Sequence, residues 1–588
     1  MTAERGTGAA TLAEMALTAV ERYEGAALKY KDGDDWAELS YADLGAAARE
    51  IAAGLIELGV EKGDKVAIFS ETRMEWTLAD LGAILAGAVV VPIYQTSSAE
   101  EAEHVLKDSG SKLVFCEDSE KLETAREAAK ELDIEHYVLF EGDGDDAISL
   151  ADLRERGGDR ASEVEERLKA VEAGDTFTLV YTSGTTGPPK GCVLTHGNFR
   201  ADLEMLESAT ELGEEVVLFI FLPLAHVLSR IAQMLVLDVG GTLAFWGRDK
   251  DQAMDEMREV EPTHFPAVPR IFEKIYEQAR KQADGAIKGK VFEKAVDVGR
   301  QVRELERRGE EPGFLLQKEY DLADRQVLSK VRELFGSRLE FALTGAAPVD
   351  TEMLEFFDAC GVLILEGYGA TETSAVTVVN TPDEFRFGTV GKPLPGCEVK
   401  IAEDTEEAEG EAGKGEILVK GPHVFQGYHG LEDKTDEVFD GEWFKTGDLG
   451  SFDDDGFLTI TGRAKEIIVT SSGKNITPTN IEEKIEKSDA VEQAIVVGDD
   501  RKYLVALIDT GGDGVDPEDE SLRQKVQEAI DSANDDLAKI EQVKKFAILD
   551  RSLSQEEGEL TPTMKVKREK VQENFEELID SLYDEDGD

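Results

Sequence analysis

Positive charge is scarce in this chain. Its 588 residues carry 64 Lys and Arg against 125 Asp and Glu, a formal net charge of −61, and no basic stripe is evident along it. A field of that sign repels phosphate backbones and anionic lipid headgroups alike, which argues against nucleic acid as a partner. Cysteine is scarce too. Cys116, Cys192, Cys360 and Cys397 lie far apart and form no CxxC pair, which argues against a disulfide framework or a zinc site. Long hydrophobic runs are missing. The two longest, Leu81 to Tyr94 and Val216 to Leu228, are shorter than the ~20 residues a spanning helix needs, and the second contains Pro223 and His226. No transmembrane segment is expected, and any membrane contact would be peripheral. The N-terminus lacks the basic region and long apolar core of a signal peptide. These absences together point to a reducing cytoplasm.

Charge this high suggests disorder, yet Val, Ile, Leu and Phe strands run throughout, so a folded protein with an acidic, solvated surface is expected. The acidity reads as adaptation to a high-salt cytoplasm, where ions screen the self-repulsion. From about residue 176 short apolar runs alternate with amphipathic stretches: TFTLVYT, a helix opening near Thr195, VVLFIF, a helix, TLAFW, a helix, and THFPAV. Residues 36–140 show the same rhythm in KVAIF, AVVVPIY and KLVFC. This βαβ alternation predicts an α/β fold with mainly parallel sheets flanked by helices, and ligands at the carboxyl ends of the strands. Residues of about 270–335 read as a helical insertion, and those of about 385–462 as a small β-rich subdomain of short strands and Gly turns. The expected division is a large N-terminal domain over 1–462 and a smaller, mobile α+β domain over 463–588. No internal repeat is apparent.

The segment YTSGTTGPPKG, Tyr181 to Gly191, follows an apolar strand and packs hydroxyls, glycines and one lysine into eleven positions. That is phosphate-gripping chemistry. Thr182, Ser183, Thr185 and Thr186 can donate to phosphoryl oxygens, Gly184 and Gly187 let backbone N–H groups come close, and Lys190 brings a mobile positive charge. It is not a Walker A loop, because Pro189 and Gly191 stand where Gly and Ser or Thr would be needed. Asp453, Asp455 and Gly456 hint at a calcium loop, but position twelve would be Gly462, so the bidentate glutamate is missing.

Four more segments follow in order: GAAP at Gly345, GYGATETS at Gly367, WFKTGDLG at Trp443 and ITGRAKEIIV at Ile460. In this order they resemble the AMP-forming acyl-CoA synthetase superfamily, over nearly the whole chain. VPIYQT at Val91, SSGKNITP at Ser471, ELTPTMKVKR at Glu559 and the helical insertion are similar to the long-chain fatty acyl-CoA synthetase branch, especially its bacterial and bubblegum-type members. The resemblance implies an ATP-dependent ligase. It joins a carboxylate to AMP, releases pyrophosphate, and lets the CoA thiol displace AMP.

The resemblance implies a task for each matching residue. Asp448 would accept the ribose hydroxyls, with Arg463 as a second charged partner, and Glu372 beside Thr371 would hold Mg²⁺. Tyr368 offers a stacking face for adenine, and Gly345, Ala346 and Ala347, with Gly367 and Gly369, would let backbone approach the nucleotide. His226, expected inside an apolar helix, would hold the acyl group in line, and Lys565 would bridge carboxylate and α-phosphate from the small domain. Thr563 and Met564 replace the commoner Ser-Gly before that lysine, and neighbouring Lys567 leaves the assignment ambiguous. Lys465 matches the hinge about which the C-terminal domain turns, and Gly473 would line the pantetheine tunnel. The implied substrates are a fatty acid, ATP and CoA. Two alternatives stay open: an acyl-AMP ligase serving a carrier protein, and a catalytically silent fatty-acid or nucleotide-binding protein.

Overall fold

The computed structural model describes residues 6–158, 160–182, 188–282, 286–347, 349–402, 415–471, 475–561 and 564–584. The apolar runs of the N-terminal half become strands of two separate sheets. The first has seven strands, ordered Ile148–Ser149, His136–Leu139, Leu113–Cys116, Lys65–Phe69, Val89–Ile93, Thr176–Thr182 and Lys190–Thr195. All its neighbouring strands run parallel except the last pair, which is antiparallel. Runs such as VVVPI are buried at every position, as expected of a parallel strand with both faces covered.

The second sheet has nine strands. Its parallel centre runs Ile364–Tyr368, Phe341–Thr344, His264–Ala267, Val217–Ile220, Thr242–Phe245 and Ala26–Asp32. Antiparallel strands close both edges, Asp35–Ser40 on one side and Val378–Val379 with Lys392–Pro393 on the other. The chain's first hairpin therefore joins the sheet formed by residues far downstream, and not the one that follows it in sequence. A five-stranded antiparallel sheet covers Glu398–Ile401, Gly415–Lys420, Phe439–Asp440, Trp443–Phe452 and Leu458–Arg463. Helices Pro269–Gln282, Ala286–Arg307 and Phe314–Ala323 occupy the lysine-rich and glutamate-rich stretch before Phe341.

Beyond a short 3-10 turn, Ala464–Glu466, the chain builds a three-stranded sheet of Gln493–Val497, Leu504–Asp509 and Val543–Ile548. Alternation along these strands gives it a separate apolar core on each face. Ile508, Val526 and Ile530 pack on one, and Val505, Leu507 and Val571 on the other. Two ion pairs that reach the larger part, Lys487 to Asp350 at 2.9 Å and Arg270 to Glu492 at 2.5 Å, join partly exposed side chains. Such pairs are worth little, about 0–1 kcal/mol. No helix among the described residues is long and apolar enough to cross a membrane.

Candidate active site

The expected phosphate loop connects two antiparallel strands. Strand Thr176–Thr182 pairs with Lys190–Thr195 in the register Tyr181 with Gly191 and Thr182 with Lys190. A P-loop would lead into a helix, and here the chain returns along the sheet. Ser183, Gly184, Thr185, Thr186 and Gly187 lie outside the described residues, whereas Thr182 and Lys190 stand at the loop's two feet. The base is held by helix Ala99–Ser109. The Tyr181 phenol donates to Asp108 at 2.6 Å, and His104 Nε2 meets the Pro189 carbonyl at 2.7 Å.

Residues 425–429 fasten onto the outer strand of this hairpin. Val193 N–H donates to Gly427 O at 2.9 Å, Gln426 N–H to Val193 O at 3.0 Å and His429 N–H to Gly191 O at 2.8 Å. The segment also grips the second sheet, because Phe425 N–H donates to Glu372 O at 2.8 Å. Tyr428 makes the link with its side chain. Its phenol donates to Glu372 Oε1 at 2.9 Å, and the Lys190 ammonium sits over its ring, 4.0 Å from the centroid. Burial, and then the Glu372 charge, push the phenol far above its ordinary range, so it stays a donor.

Glu372 and Thr371 occupy a 3-10 turn just past strand Ile364–Tyr368. Among the described residues no hydrogen bond reaches Glu372 Oε2. Tight backbone packing places this turn. A Cβ on Gly369 would lie 1.9 Å from Ala375 O, and one on Gly345 would lie 2.8 Å from Gly367 O. Gly345 is thus demanded by the neighbouring strand end. Ala346 takes a left-handed φ of 68° and is exposed with Ala347 at the rim.

Asp448, Tyr368 and Arg463 form a second constellation. Trp443–Phe452 and Leu458–Arg463 pair with Asp448 opposite Arg463. Arg463 Nε reaches Asp448 Oδ1 at 2.9 Å, and the Tyr368 phenol donates to Oδ2 at 2.7 Å. Asp448 N–H donates to Thr446 Oγ1 at 3.0 Å, which fixes the turn in the strand. Burial, followed by the Asp448 charge, raises the Tyr368 phenol far above its ordinary range, and Asp448 before all else raises Arg463. The carboxylate thus has one partner on each of its oxygens.

His226 is not inside a helix, as the sequence pattern suggested. It is the N-cap of helix Val227–Val239, with Nδ1 accepting from Leu228 N–H at 3.2 Å. That bond leaves Nε2–H as the neutral ring's donor. Burial, and then the charge of Lys565, lower its pKa from 6.5 to about 4, so the ring is neutral near pH 7. The helix is anchored one turn further on. Arg230 is fully buried, ion-paired with Asp80, and donates to Thr178 Oγ1 at 2.6 Å, while Gln233 Nε2 donates to Asp80 at 3.0 Å. This network ties the His226 helix to helix Met74–Ala86 and to the strand that leads into the phosphate loop.

Lys565 comes from the far domain. Leu560 and Val566 form an antiparallel bridge, and Lys565 N–H donates to Thr561 Oγ1 at 3.0 Å. Behind this turn Glu559 is fully buried and ion-paired with Arg551 at 2.5 Å. Met564 takes a φ of 63° where the commoner motif has glycine. By surface area Lys565 is an exposed residue. Desolvation, then Arg463, lower its pKa, and Asp448 opposes them. Lys565 therefore lies within electrostatic reach of His226, Asp448 and Arg463.

Lys465 is exposed on the turn Ala464–Glu466, and Gly473 lies outside the described residues. The calcium-loop lookalike is spent on an ion pair, with Arg386 holding Asp453 and Asp455. Tyr428 was missed by the sequence reading. Its only signal was an aromatic residue after glycine in GPHVFQGY.

The family model described as AMP-binding enzyme matches residues 17–429, and that of the AMP-binding enzyme C-terminal domain matches residues 465–587. This chain belongs to the AMP-binding enzyme family. It is 38% identical over 577 residues to the long-chain-fatty-acid–CoA ligase FadD15 of Mycobacterium tuberculosis, covering 94% of this chain and 93% of that one. It is 33% identical to the long-chain-fatty-acid–CoA ligase ACSBG2 of Xenopus laevis, covering 95% and 82%. The o-succinylbenzoate CoA synthetase of Bacillus subtilis, solved with its acyl-adenylate intermediate, superposes with a TM-score of 0.69 at 25% identity over 95% of this chain and 97% of that one. The adenylation domain of a Mycobacterium chelonae carboxylate reductase shares the fold, with a TM-score of 0.76 at 22% identity over 97% and 91%. The protein is thus an adenylate-forming α/β enzyme with a large N-terminal domain and a smaller C-terminal one.

Proposed function

We propose that this enzyme activates a long-chain fatty acid as its acyl-adenylate, releasing pyrophosphate, and then transfers the acyl group to CoA to give acyl-CoA and AMP. The observation that carries this reading is the position of Lys565. A cation delivered from the C-terminal domain sits within electrostatic reach of both the neutral imidazole of His226 and the Asp448–Arg463 pair. A carboxylate held near His226 Nε2–H would thus meet the α-phosphate of a nucleotide held by Asp448, with Lys565 neutralising charge on both.

The remaining residues take complementary roles. Lys190, with Thr182 and the loop Ser183 to Gly187, would hold the outgoing phosphates. Gly345, Ala346, Ala347, Gly367, Gly369 and Tyr368 would border the base, and Thr371 would face the α-phosphate. Glu372 fits a metal of Mg²⁺ type, because one carboxylate oxygen is engaged by Tyr428 while the other is not, and Mg²⁺ is commonly held by one or two carboxylates plus substrate phosphates. Bound there, Mg²⁺ would offset polyphosphate charge.

The same lysine would obstruct CoA once the adenylate has formed. The two halves are joined by weak exposed ion pairs, which favours a C-terminal domain that turns about Lys465 and brings Gly473 toward pantetheine. The domain division at residue 463 follows that reading. The acidic surface supports work in concentrated salt.

The test is CoA-dependent AMP release from ATP and Mg²⁺ in molar KCl, across acids from acetate to very long chains, with product masses checked. Acyl-CoA peaking at long chains, with more activity in molar KCl than in dilute buffer, is the expected result. Acyl-adenylate without acyl-CoA would replace CoA by a carrier protein, and inactivity with every acid would overturn the assignment.

A further inference from the structure

Tyr428 touches both charged groups on the phosphate side of the site, and neither the sequence motifs nor the resemblance gave it a task. Its phenol donates to Glu372 Oε1 at 2.9 Å, while its ring face takes the Lys190 ammonium at 4.0 Å. We infer that Tyr428 is a positioning residue that fixes Glu372 with one oxygen tied and the other presented to the metal–nucleotide complex, and that holds Lys190 on its ring until polyphosphate takes the cation.

Three features carry the inference. Tyr428 is 7% exposed, packed edge-on against Phe425, and its own N–H donates to Thr435 Oγ1 at 2.9 Å, so the ring has one place to be. Its segment is hydrogen-bonded to the phosphate-loop hairpin through Val193 and Gly191 and to the Glu372 turn through Phe425, so it fixes the distance between the two sheets' contributions. The two interactions also use different parts of one side chain. A hydrogen bond from a neutral phenol steers a carboxylate without cancelling its charge, whereas an ion pair between Lys190 and Glu372 would neutralise both before a substrate arrived. A cation on an aromatic face is held weakly and released to phosphate at small cost.

The inference rests on the proposed metal role of Glu372, and the experiment separates the two. Binding of Mn²⁺ in the presence of ATP is followed by electron paramagnetic resonance, without turnover, on the full chain and on Glu372→Gln, Tyr428→Phe and the double variant. Circular dichroism and melting confirm that each is folded. Tyr428→Phe keeps the ring and loses only the hydroxyl. The expected result is Mn²⁺ binding weakened about tenfold in Tyr428→Phe, as for loss of a hydrogen bond to a charged group. A larger loss is expected in Glu372→Gln, with no further loss in the double variant. Unchanged binding in Tyr428→Phe beside a clear loss in Glu372→Gln would overturn the positioning role alone, as would strictly additive losses. Unchanged binding in Glu372→Gln would overturn the metal reading, and this inference with it. Tyr428→Leu adds a check on the ring. It should weaken binding of metal-free ATP, which Tyr428→Phe should leave as it is, and equal effects of the two would remove the role given to the ring.

Discussion

Two tyrosine–carboxylate–cation sets occur among the candidate site residues, and they are wired differently. In the first, Asp448 takes the Tyr368 phenol at 2.7 Å and the Arg463 guanidinium at 2.9 Å, so the charges are paired directly. In the second, Glu372 takes the Tyr428 phenol at 2.9 Å, but Lys190 sits on the ring, 4.0 Å from its centroid. A paired carboxylate suits neutral hydroxyls, which exchange one hydrogen bond for another and bring no charge. An unpaired carboxylate and a parked cation suit a metal and a polyphosphate, which bring charge of both signs. Lys565 belongs with the first set by electrostatic reach, and so connects it to His226.

The largest expected effect comes from removing that connection. Lys565→Ala should lower adenylate formation by about 10²–10³-fold, the scale of a lost electrostatic contact in a transition state, while thioester formation from supplied acyl-AMP is retained. Equal loss of both half-reactions would remove the role given to Lys565. Asp448→Asn tests the directly paired set. It strands Arg463 and should raise the KM for ATP by about tenfold or more at every Mg²⁺ concentration. A defect rescued by added Mg²⁺ would erase the contrast between the two sets. Lys465→Pro should slow CoA transfer by several fold while adenylation changes less, since a fixed φ hinders the turn that follows Arg463. CoA transfer at the normal rate would discard the hinge.

The smallest effect concerns the strand beneath Tyr368. Burial raises the Glu366 carboxyl from 4.5 to about 8, against a single hydrogen bond from Gly388 N–H at 3.2 Å. A raised folded pKa gives stability that is full below pH 4.5 and is lost as pH climbs through 8. Glu366→Gln should lack that loss, so its Tm relative to the unmodified protein should climb between pH 4.5 and 8, by ~2–4 °C. A Tm difference that stays constant with pH would show that Glu366 does not titrate in this window.

The parts that were legible in sequence are those governed by local rules. The βαβ rhythm marked the parallel strands, and Thr195 was visible as the start of a helix because its hydroxyl and Asn198 form a capping box. Asp448, Arg463 and Lys565 stood in motifs. What stayed hidden depends on long-range packing. Nothing local reveals that strand Ala26–Asp32 pairs with Thr242–Phe245, or that residues 425–429 run beside the phosphate-loop hairpin. Tyr428 was invisible for that reason, since its partners lie 56 and 238 positions away. His226 was misplaced because an N-cap and the first turn of a helix have the same apolar neighbours. At Gly345 a second demand stayed hidden, because the strand end at Gly367 excludes a side chain there whatever the ligand.

The most direct test of the central claim follows the oxygen atoms. A long-chain fatty acid labelled with ¹⁸O in its carboxylate is turned over with ATP and CoA, and the AMP is analysed by mass spectrometry. Attack of the carboxylate on the α-phosphate, followed by CoA at the carbonyl carbon, leaves one labelled oxygen on each AMP. Unlabelled AMP, or label in inorganic phosphate with ADP as the nucleotide product, would contradict adenylation at this site.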